Sequence, residues 1–416
     1  MKPSTVSKLA SLNLANCFFG YEFVVGIFSG LMNPETGTQF ITVPYRAFSL
    51  ILALLVIWEA RRQNDKYPFS IWCIAFYWCI LLFRLIDDSF FRLDLHLNDD
   101  NISRNLWLII GSAIPVTLAF VRSFRQIDMR SLYNYCLLMV AGGAICAILF
   151  NSDMYESGYG AGTDTQRAGL IAMNPITLGH LGVALVFISL FIKRFYKMRY
   201  IRLIQLALIL IGLTLVVKAA SRGPFVVLIA TFAIYVFIIN KKWGLFVVGL
   251  FVMLLLMWPF IDDFVINSIV RPLAPSLYTR IMLTLEYGDL GRAELINQAI
   301  TLFKESPVFG SQFTLYKNGN IYYAHNILID SLVCGGIIGF TLLIIPMVRG
   351  ALNIPFLLNN RISAFIILIF ISQILAKFAS GSFFLAPQAG VAICGLILFR
   401  KRYNEADSNS HQKELR

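Results

Sequence analysis

The sequence predicts an all-α integral membrane protein with about twelve transmembrane helices and one long periplasmic loop that carries an amphipathic helix. Three observations lead to this fold class: the composition, the spacing of the apolar segments and the distribution of the basic residues. Hydrophobic residues make up 58% of the chain and charged residues 14%, and the mean hydropathy is +0.71. This composition excludes an ordinary soluble globular protein, whose surface needs more charged side chains.

Twelve apolar segments are long enough for membrane-spanning helices, each of which needs about 20 residues. They lie near residues 9–30, 41–59, 69–86, 105–122, 131–150, 168–192, 203–218, 223–240, 243–260, 326–348, 362–378 and 384–399. The N-terminal segment lacks a cleavable signal pattern, so we expect it to be the first span. An even number of spans puts both termini on one side of the membrane.

The basic residues identify that side as cytoplasmic. Of the 35 Lys and Arg residues, 22 lie on the side of the termini and 11 on the opposite side, with Arg46 and Arg84 inside spans. The positive-inside rule therefore predicts cytoplasmic termini. The net charge of +12 is spread through short loops, which argues against a nucleic-acid partner. All seven cysteines lie in apolar segments, which predicts neither disulfides nor a zinc site.

One connection, residues 261–325, is long, and this topology predicts that it faces outward. Within it, residues 290–303 have apolar side chains at helical spacing, which indicates an amphipathic helix. Ile296, Ile300 and Phe303 form its apolar stripe, and Leu295, Ala299 and Leu302 widen that stripe. We expect this helix to lie over the bundle as a lid or wall. Residues 1–403 form the transmembrane domain in this interpretation, and residues 404–416 form a disordered cytoplasmic tail.

His325 stands where the long loop returns to the membrane, and we expect it to cap the apolar helix that follows. Histidine is the side chain best suited to accept a proton near neutral pH, so His325 is a candidate general base. The alternative is that it only bonds to the backbone at the start of the helix. The other histidines are weaker candidates, because His180 suits a packed position within a span, whereas His96 and His411 lie in polar segments.

Arginines on the same predicted side are candidates for binding an anion. Arg222 follows one span and precedes a helix broken by Gly-Pro, and Arg292 lies at the start of the loop helix, where free N–H groups favour negative charge. The alternative for Arg222 is that its side chain snorkels to lipid headgroups, and the alternative for Arg292 is that it lies on the solvated face of the loop helix. Arg280 is a weaker candidate from the same loop. Further charges lie within or beside spans and are expected near a polar cavity or an interface: Glu22, Arg46, Arg84, Asp330 and Lys377.

Several short motifs occur in an order that resembles the O-antigen ligase and O-antigen polymerase family of bacterial membrane glycosyltransferases. They are Asn174-Pro175, Ser221-Arg222-Gly223, Gly291-Arg292, Lys304-Glu-Ser-Pro-Val-Phe-Gly310, and His325-Asn326 followed by Gly336 and Gly339. The resemblance covers residues 165–345, and the first 150 residues match only in hydropathy.

The resemblance implies transfer of a glycan from an undecaprenyl diphosphate carrier to a sugar hydroxyl at the periplasmic face of the inner membrane, without a metal or cofactor. By motif, Arg222 and Arg292 would bind the diphosphate, with Arg280 and Asn326 as further substrate-binding residues. His325 would activate the acceptor hydroxyl for an inverting attack. Tyr322 and Tyr323 would stack on sugar rings, although interfacial anchoring explains them equally well.

The acceptor separates the two activities of the family. A polymerase adds the growing chain to a lipid-linked repeat unit, and a ligase adds it to lipid A–core. The loop of about 65 residues is short for binding a lipopolysaccharide core, which favours the polymerase. The partners expected are the lipid-linked donor, the glycan acceptor, the bilayer and a chain-length regulator. A lipid-linked oligosaccharide transporter is the more distant alternative, although its cations would follow a central path through the bundle.

Overall fold

The structure is a computed structural model, and the fold that it shows is a helical bundle with two short strand pairs. It describes residues 4–28, 39–62, 65–92, 95, 97, 99–150, 152–156, 166–169, 173–246, 249, 278, 282, 290–317, 320–360, 362–379, 381–384 and 387–414. Arg280 and most of the segment 243–289, which includes the ninth predicted span, lie outside the described residues.

The helices follow the apolar segments closely. Up to residue 239 they are α1 (Thr5–Phe28), α2 (Gln39–Glu59), α3 (Phe69–Phe90), α4 (Asp99–Leu108), α5 (Ile114–Ser123), α6 (Met129–Leu149), α7 (Pro175–Leu190), α8 (Ile192–Phe195), α9 (Ile201–Lys218) and α10 (Arg222–Ile239). After residue 289 they are α11 (Leu290–Glu305), α12 (Ile327–Asn359), α13 (Ala364–Ala379) and α14 (Gln388–Glu414). A π-helical turn, Ile109–Ala113, joins α4 to α5.

Two antiparallel strand pairs lie between the helices. Strand β1 (Ser152–Glu156) pairs with β2 (Gln166–Gly169), and β3 (Leu315–Lys317) pairs with β4 (Asn320–Tyr322). The second pair links α11 to α12, and Leu315 faces Tyr322 across it. It therefore lies immediately before His325.

Eight helices within the described residues are long and apolar enough to cross a membrane. They are Thr5–Phe28, Gln39–Glu59, Phe69–Phe90, Ile102–Ser123, Met129–Leu149, Ile201–Lys218, Arg222–Ile239 and Ile327–Asn359. Two shorter apolar helices, α7 and α13, lie among them. The all-α membrane class is confirmed, whereas the number twelve and the side on which the long loop lies stay predictions.

Two boundaries differ from the predicted ones. The segment predicted to span from residue 168 begins its helix only at Pro175, because the Asn174 side chain accepts a hydrogen bond from Thr177 N at 2.9 Å and proline suits the first helical position. At the other end, α14 continues to Glu414, so residues 404–414, which we expected to be disordered, are helical. Extending an existing helix avoids the cost of nucleation.

The core of the bundle contains the two shorter helices. Residues 181–189 of α7 and 364–372 of α13 are buried without interruption, whereas α9 and α10 expose many large apolar side chains. A helix that is apolar on all sides belongs in the centre of a bundle, and one with exposed apolar side chains faces lipid. The C-terminal end of the central helix α13 is where the candidate site residues meet.

Candidate active site at the end of the central helix

Three elements that carry predicted site residues contact the last two residues of α13. Arg292 Nη1 on α11 donates to the Ala379 carbonyl oxygen at 3.2 Å. Asn326 Nδ2, at the start of α12, lies 3.5 Å from the Phe378 carbonyl oxygen. A Cβ atom at Gly223, the second residue of α10, would lie 4.0 Å from the Ala379 Cβ. The structure thus brings together the regions of Arg222, Arg292 and His325, which are far apart in sequence.

The turn between α9 and α10 presents Arg222. Ala220 adopts a left-handed φ of 46° and Ser221 is extended, and both are buried, whereas Arg222 is exposed as the first residue of α10. Pro224 packs tightly on α7, since a Cβ atom at Gly179 would lie 2.5 Å from its Cγ. This close packing fixes the N-terminus of α10, whose free N–H groups add to the anion-binding character of the guanidinium.

Helix α11 confirms the predicted amphipathic helix, and Ser306 lies directly after its last residue. Its buried stripe is centred one residue earlier than the sequence suggested: Ala299 is buried, whereas Ile300 is 43% exposed. Ala299 packs with Leu315, Ala324 and Val333 in a small second core, to which Leu295 and Leu302 of the same helix add. The helix therefore packs on the strand pair and on the first turns of α12.

His325 is not itself the helix cap, which corrects the prediction that it caps α12. Asn326 has that role, because its side-chain oxygen accepts from Leu328 N at 3.0 Å and Ile329 N at 3.4 Å. His325 precedes the cap with a left-handed φ of 57°. Residues other than glycine adopt this conformation rarely, and such strained positions are concentrated at functional sites.

The turn that carries His325 is held from both sides. Asp330 Oδ1 accepts from the Ala324 N–H at 2.8 Å, and the aspartate is buried. The ring of Tyr323 lies 4.3 Å from the imidazole, measured between ring centroids. Asp330, which the sequence indicated only as a charge near the membrane, is therefore a positioning residue for this turn.

The two tyrosines suggested for sugar binding have different surroundings. Tyr322 ends β4, packs against the small second core, and accepts a hydrogen bond through its carbonyl oxygen from Thr314 Oγ1 at 2.5 Å. Tyr323 is half-buried beside His325. The packing gives Tyr322 a structural role and leaves Tyr323 as the better candidate for contact with a sugar.

Charged residues near the C-terminal end of α3 and directly after it bind the segment between α11 and β3. Arg84 donates to the carbonyl oxygens of Phe309 at 2.9 Å and Gly310 at 2.7 Å. One turn further on, Asp88 Oδ2 accepts from Phe313 N at 2.5 Å and from the Tyr316 hydroxyl at 2.7 Å. Arg92, which follows the end of α3, donates to the Ser311 carbonyl oxygen at 2.9 Å. The four-residue spacing of Arg84 and Asp88 puts these two side chains on one face of α3.

Burial and the neighbouring Asp88 carboxylate raise the pKa of the Tyr316 phenol. The raised pKa keeps the phenol protonated at neutral pH, and its hydroxyl donates to Asp88 Oδ2. The sequence does not indicate this pairing, because Asp87 and Asp88 stand together at the outer end of an apolar segment and Tyr316 is more than 200 residues away. The signal that could have revealed it is the recurrence of charged residues at positions 84 and 88 of a mainly apolar helix, with Arg92 four residues further on.

Helix α12 is broken at Gly336, which has a φ of 57° and a ψ of −150°. The backbone groups around the break bond to the preceding segment: Ile337 N donates to the Pro307 carbonyl oxygen and Ser311 N donates to that of Val333, both at 2.9 Å. A Cβ atom at Gly336 would lie 2.5 Å from the Val308 carbonyl carbon. Only glycine fits this position, since any side chain would meet both a strained φ and the neighbouring backbone.

We expect Asp88→Asn to destabilise the attachment of this segment by about 1–3 kcal/mol, because the two hydrogen bonds to Oδ2 lose the charge of the carboxylate and Arg92 loses its ionic partner. The measurement is thermal unfolding of the detergent-purified protein, with limited trypsin digestion to detect loosening of residues 306–317. Asp87→Asn is the matched control, since the Asp87 side chain is 29% exposed and contacts only Arg84, at 3.3 Å, among the ion pairs described. Equal effects of the two substitutions would contradict this account.

These features define a multi-pass helical membrane protein that presents two arginines and a histidine at one end of its bundle. Residues 206–344, about a third of the chain, match the family model described as O-antigen ligase. The matched segment includes Arg222, Arg292 and His325, and it confirms the resemblance to the O-antigen ligase and polymerase family seen in the sequence. No curated protein matches the chain.

Proposed function

We propose that the protein polymerises undecaprenyl-diphosphate-linked oligosaccharide repeat units into O-antigen or a related surface polysaccharide. The observation that carries this proposal is the meeting of α10, α11 and α12 at the end of α13, within the segment that matches the family. A lipid-linked diphosphate needs cations at the membrane boundary, and a hydroxyl acceptor needs a proton acceptor beside it. At this end of the bundle, Arg222 and Arg292 are the proposed cations and His325 is the proposed proton acceptor.

In the reaction, the acceptor hydroxyl oxygen attacks the anomeric carbon of the donor glycan. The bond from that carbon to the diphosphate oxygen breaks, and its electron pair leaves with the undecaprenyl diphosphate. His325 takes the proton of the hydroxyl, and Arg222 and Arg292 stabilise the charge that forms on the leaving group. Attack from the side opposite the diphosphate inverts the anomeric configuration, and no metal ion is assigned a role.

The proposal includes the topology predicted from the basic residues. It has twelve spans, cytoplasmic termini and a periplasmic site in the bacterial inner membrane, and the meeting of the N-terminal ends of α10, α11 and α12 with the C-terminal end of α13 supports a site at one end of the bundle. Residues 1–403 constitute the catalytic transmembrane domain. A glycan acceptor, the bilayer and a chain-length regulator are the partners that this function requires, and the residue Arg280 stays a candidate for donor binding from the long loop.

Ligation of the lipid-linked glycan to lipid A–core is the second candidate function, and the description of the matching family favours it. The short connection between α11 and α12 favours the polymerase, because the strand pair and α11 pack on the bundle and form a compact cover. A transporter is less consistent with the contacts, since the site lies at the end of α13 and not along the length of a central path.

Deletion of the gene distinguishes these functions in the host bacterium. Loss of a polymerase leaves lipid A–core that carries a single repeat unit, and loss of a ligase leaves bare core while lipid-linked polymer accumulates. We expect the first pattern on a lipopolysaccharide gel, with complementation by the wild-type gene as the control. Unchanged polysaccharide of normal length would exclude both enzymatic functions.

A further inference from the structure

Lys377 is a cation of this region that the proposed chemistry has not yet used. It lies in the last turn of α13, one residue before Phe378 and two before Ala379, whose carbonyl groups contact Asn326 and Arg292. Its side chain extends past the helix end, because a Cβ atom at Gly381 would lie 2.7 Å from its Cδ and 3.4 Å from its Nζ. The ammonium group therefore lies at the same end of α13 as the other site residues.

Two polar side chains from other helices contribute to the electrostatic environment of this lysine. Glu22 on α1 and His180 on α7 are intermediate in exposure, and each interacts electrostatically with Lys377. Within the described residues, Glu22 Oε2 and His180 Nε2 are buried and make no hydrogen bond. Glu22 thus balances the charge of Lys377 without forming a close ion pair with it.

A structural role for Lys377 alone does not explain this arrangement. A lysine in the last turn compensates the helix dipole, and this effect needs neither a carboxylate nor an imidazole nearby. Lys377 is the one of these three groups whose charge attracts an anion, and its place in the last turn of α13 puts it next to the residues that contact Asn326 and Arg292.

We propose that Lys377 is a third anion-binding residue of the site and that it binds the diphosphate of the donor lipid together with Arg222 and Arg292. This inference rests on the proposed function. A diphosphate diester carries two negative charges, and its terminal phosphate gains a third when the glycosidic bond breaks and the electron pair stays with the oxygen. The two arginines balance the first two charges, and Lys377 balances the third from the interior of the bundle.

Glu22 is the counter-charge of Lys377 when no donor is bound. Because its carboxylate is not in close contact with the ammonium group, binding of the diphosphate does not require a strong ion pair to be broken. Removal of the Glu22 charge should therefore leave diphosphate binding unchanged or make it tighter, whereas removal of the Lys377 charge should weaken it. A purely structural pair would respond in the same direction to both changes.

The test is binding of undecaprenyl diphosphate and of undecaprenyl phosphate to the purified full-length protein in lipid nanodiscs. We expect Lys377→Gln to weaken binding of the diphosphate by about tenfold or more, because a charge-assisted hydrogen bond is lost. Binding of the monophosphate should weaken less. Glu22→Gln should bind the diphosphate at least as tightly as the wild type. Lys218→Gln, which removes an exposed cation at the end of α9, should leave both affinities unchanged.

The outcomes separate this inference from the function on which it rests. Weaker diphosphate binding in Arg222→Ala and Arg292→Ala with wild-type binding in Lys377→Gln overturns the role of Lys377 only. Wild-type binding in all three variants overturns the donor site itself. Equal weakening by Lys377→Gln and Glu22→Gln also overturns the inference, since it indicates a structural pair. If the Lys377→Gln protein does not fold, the double variant Lys377→Gln/Glu22→Gln removes both charges of the pair. Wild-type affinity of this double variant for the diphosphate would overturn the inference.

Discussion

Substitution of His325 by alanine is expected to reduce polymer formation by about 10²–10⁴-fold, the usual contribution of a general base. In cells this loss should remove long-chain polysaccharide from a gel while the membrane abundance of the protein stays at the wild-type level. His411→Ala is the matched control, because it removes an imidazole from the polar last part of α14 and should leave the chain length unchanged. Normal long-chain polysaccharide in His325→Ala would exclude the proposed role.

His325→Asn separates the loss of the imidazole from a change in the backbone. Asparagine tolerates the left-handed φ that His325 adopts, so the turn between β4 and α12 should persist in this variant. It can still donate and accept hydrogen bonds, but it cannot take a proton at neutral pH. Activity as low as that of His325→Ala indicates proton transfer, whereas recovery of most of the activity indicates that His325 only orients the acceptor.

Arg292→Ala and Arg222→Ala are each expected to lower the rate by about 10²–10³-fold, as loss of a donor to the developing charge does in other enzymes. Arg292→Ala also removes the hydrogen bond to the Ala379 carbonyl oxygen, so α11 should be less firmly attached to α13. The rate is measured with purified protein and lipid-linked repeat units. Protein abundance and thermal unfolding show whether the fold is retained.

Replacement of each arginine by lysine tests whether its positive charge alone is needed or also its planar pair of donors. Arg292→Lys and Arg222→Lys keep the charge but lose the planar pair of donors that binds two phosphate oxygens at once, so they should recover only part of the rate. Lys304→Ala is the control on the same helix, since Lys304 is an exposed residue at the other end of α11. Full recovery by lysine would mean that positive charge alone is needed.

Much of the fold could be predicted because its causes are local. The apolar segments require helices in a membrane, and the helical spacing of the apolar residues in 290–303 indicates α11 without any knowledge of its packing. The centre of its buried stripe was harder to predict, since apolar residues at 295 and 296 and at 299 and 300 leave two adjacent faces open. The partner of the helix decides between them, and the small core around Leu315 and Val333 favours the face of Ala299.

The hydrogen bonds that hold the site segments in place could not be predicted, because they join residues that are far apart in the sequence. Arg84 bonds to carbonyl oxygens more than 220 residues away, and Asp88 bonds to Tyr316 over a similar separation. In the sequence these residues were only charges in or near an apolar segment. The assignment of the helix cap to Asn326 rather than His325 likewise needed the backbone angles, because either residue could precede the helix.

The break at Gly336 has a consequence for how acceptor specificity can change. Residues 306–335 bond to one another and to α3, while the rest of α12 begins again beyond the glycine. This stretch therefore carries His325 on a segment whose anchor points lie on α3, at the end of α13 and just beyond the glycine. If the proposed function holds, exchange of this segment between two homologues that share Arg84, Asp88 and the glycine should transfer the acceptor preference of the segment's parent.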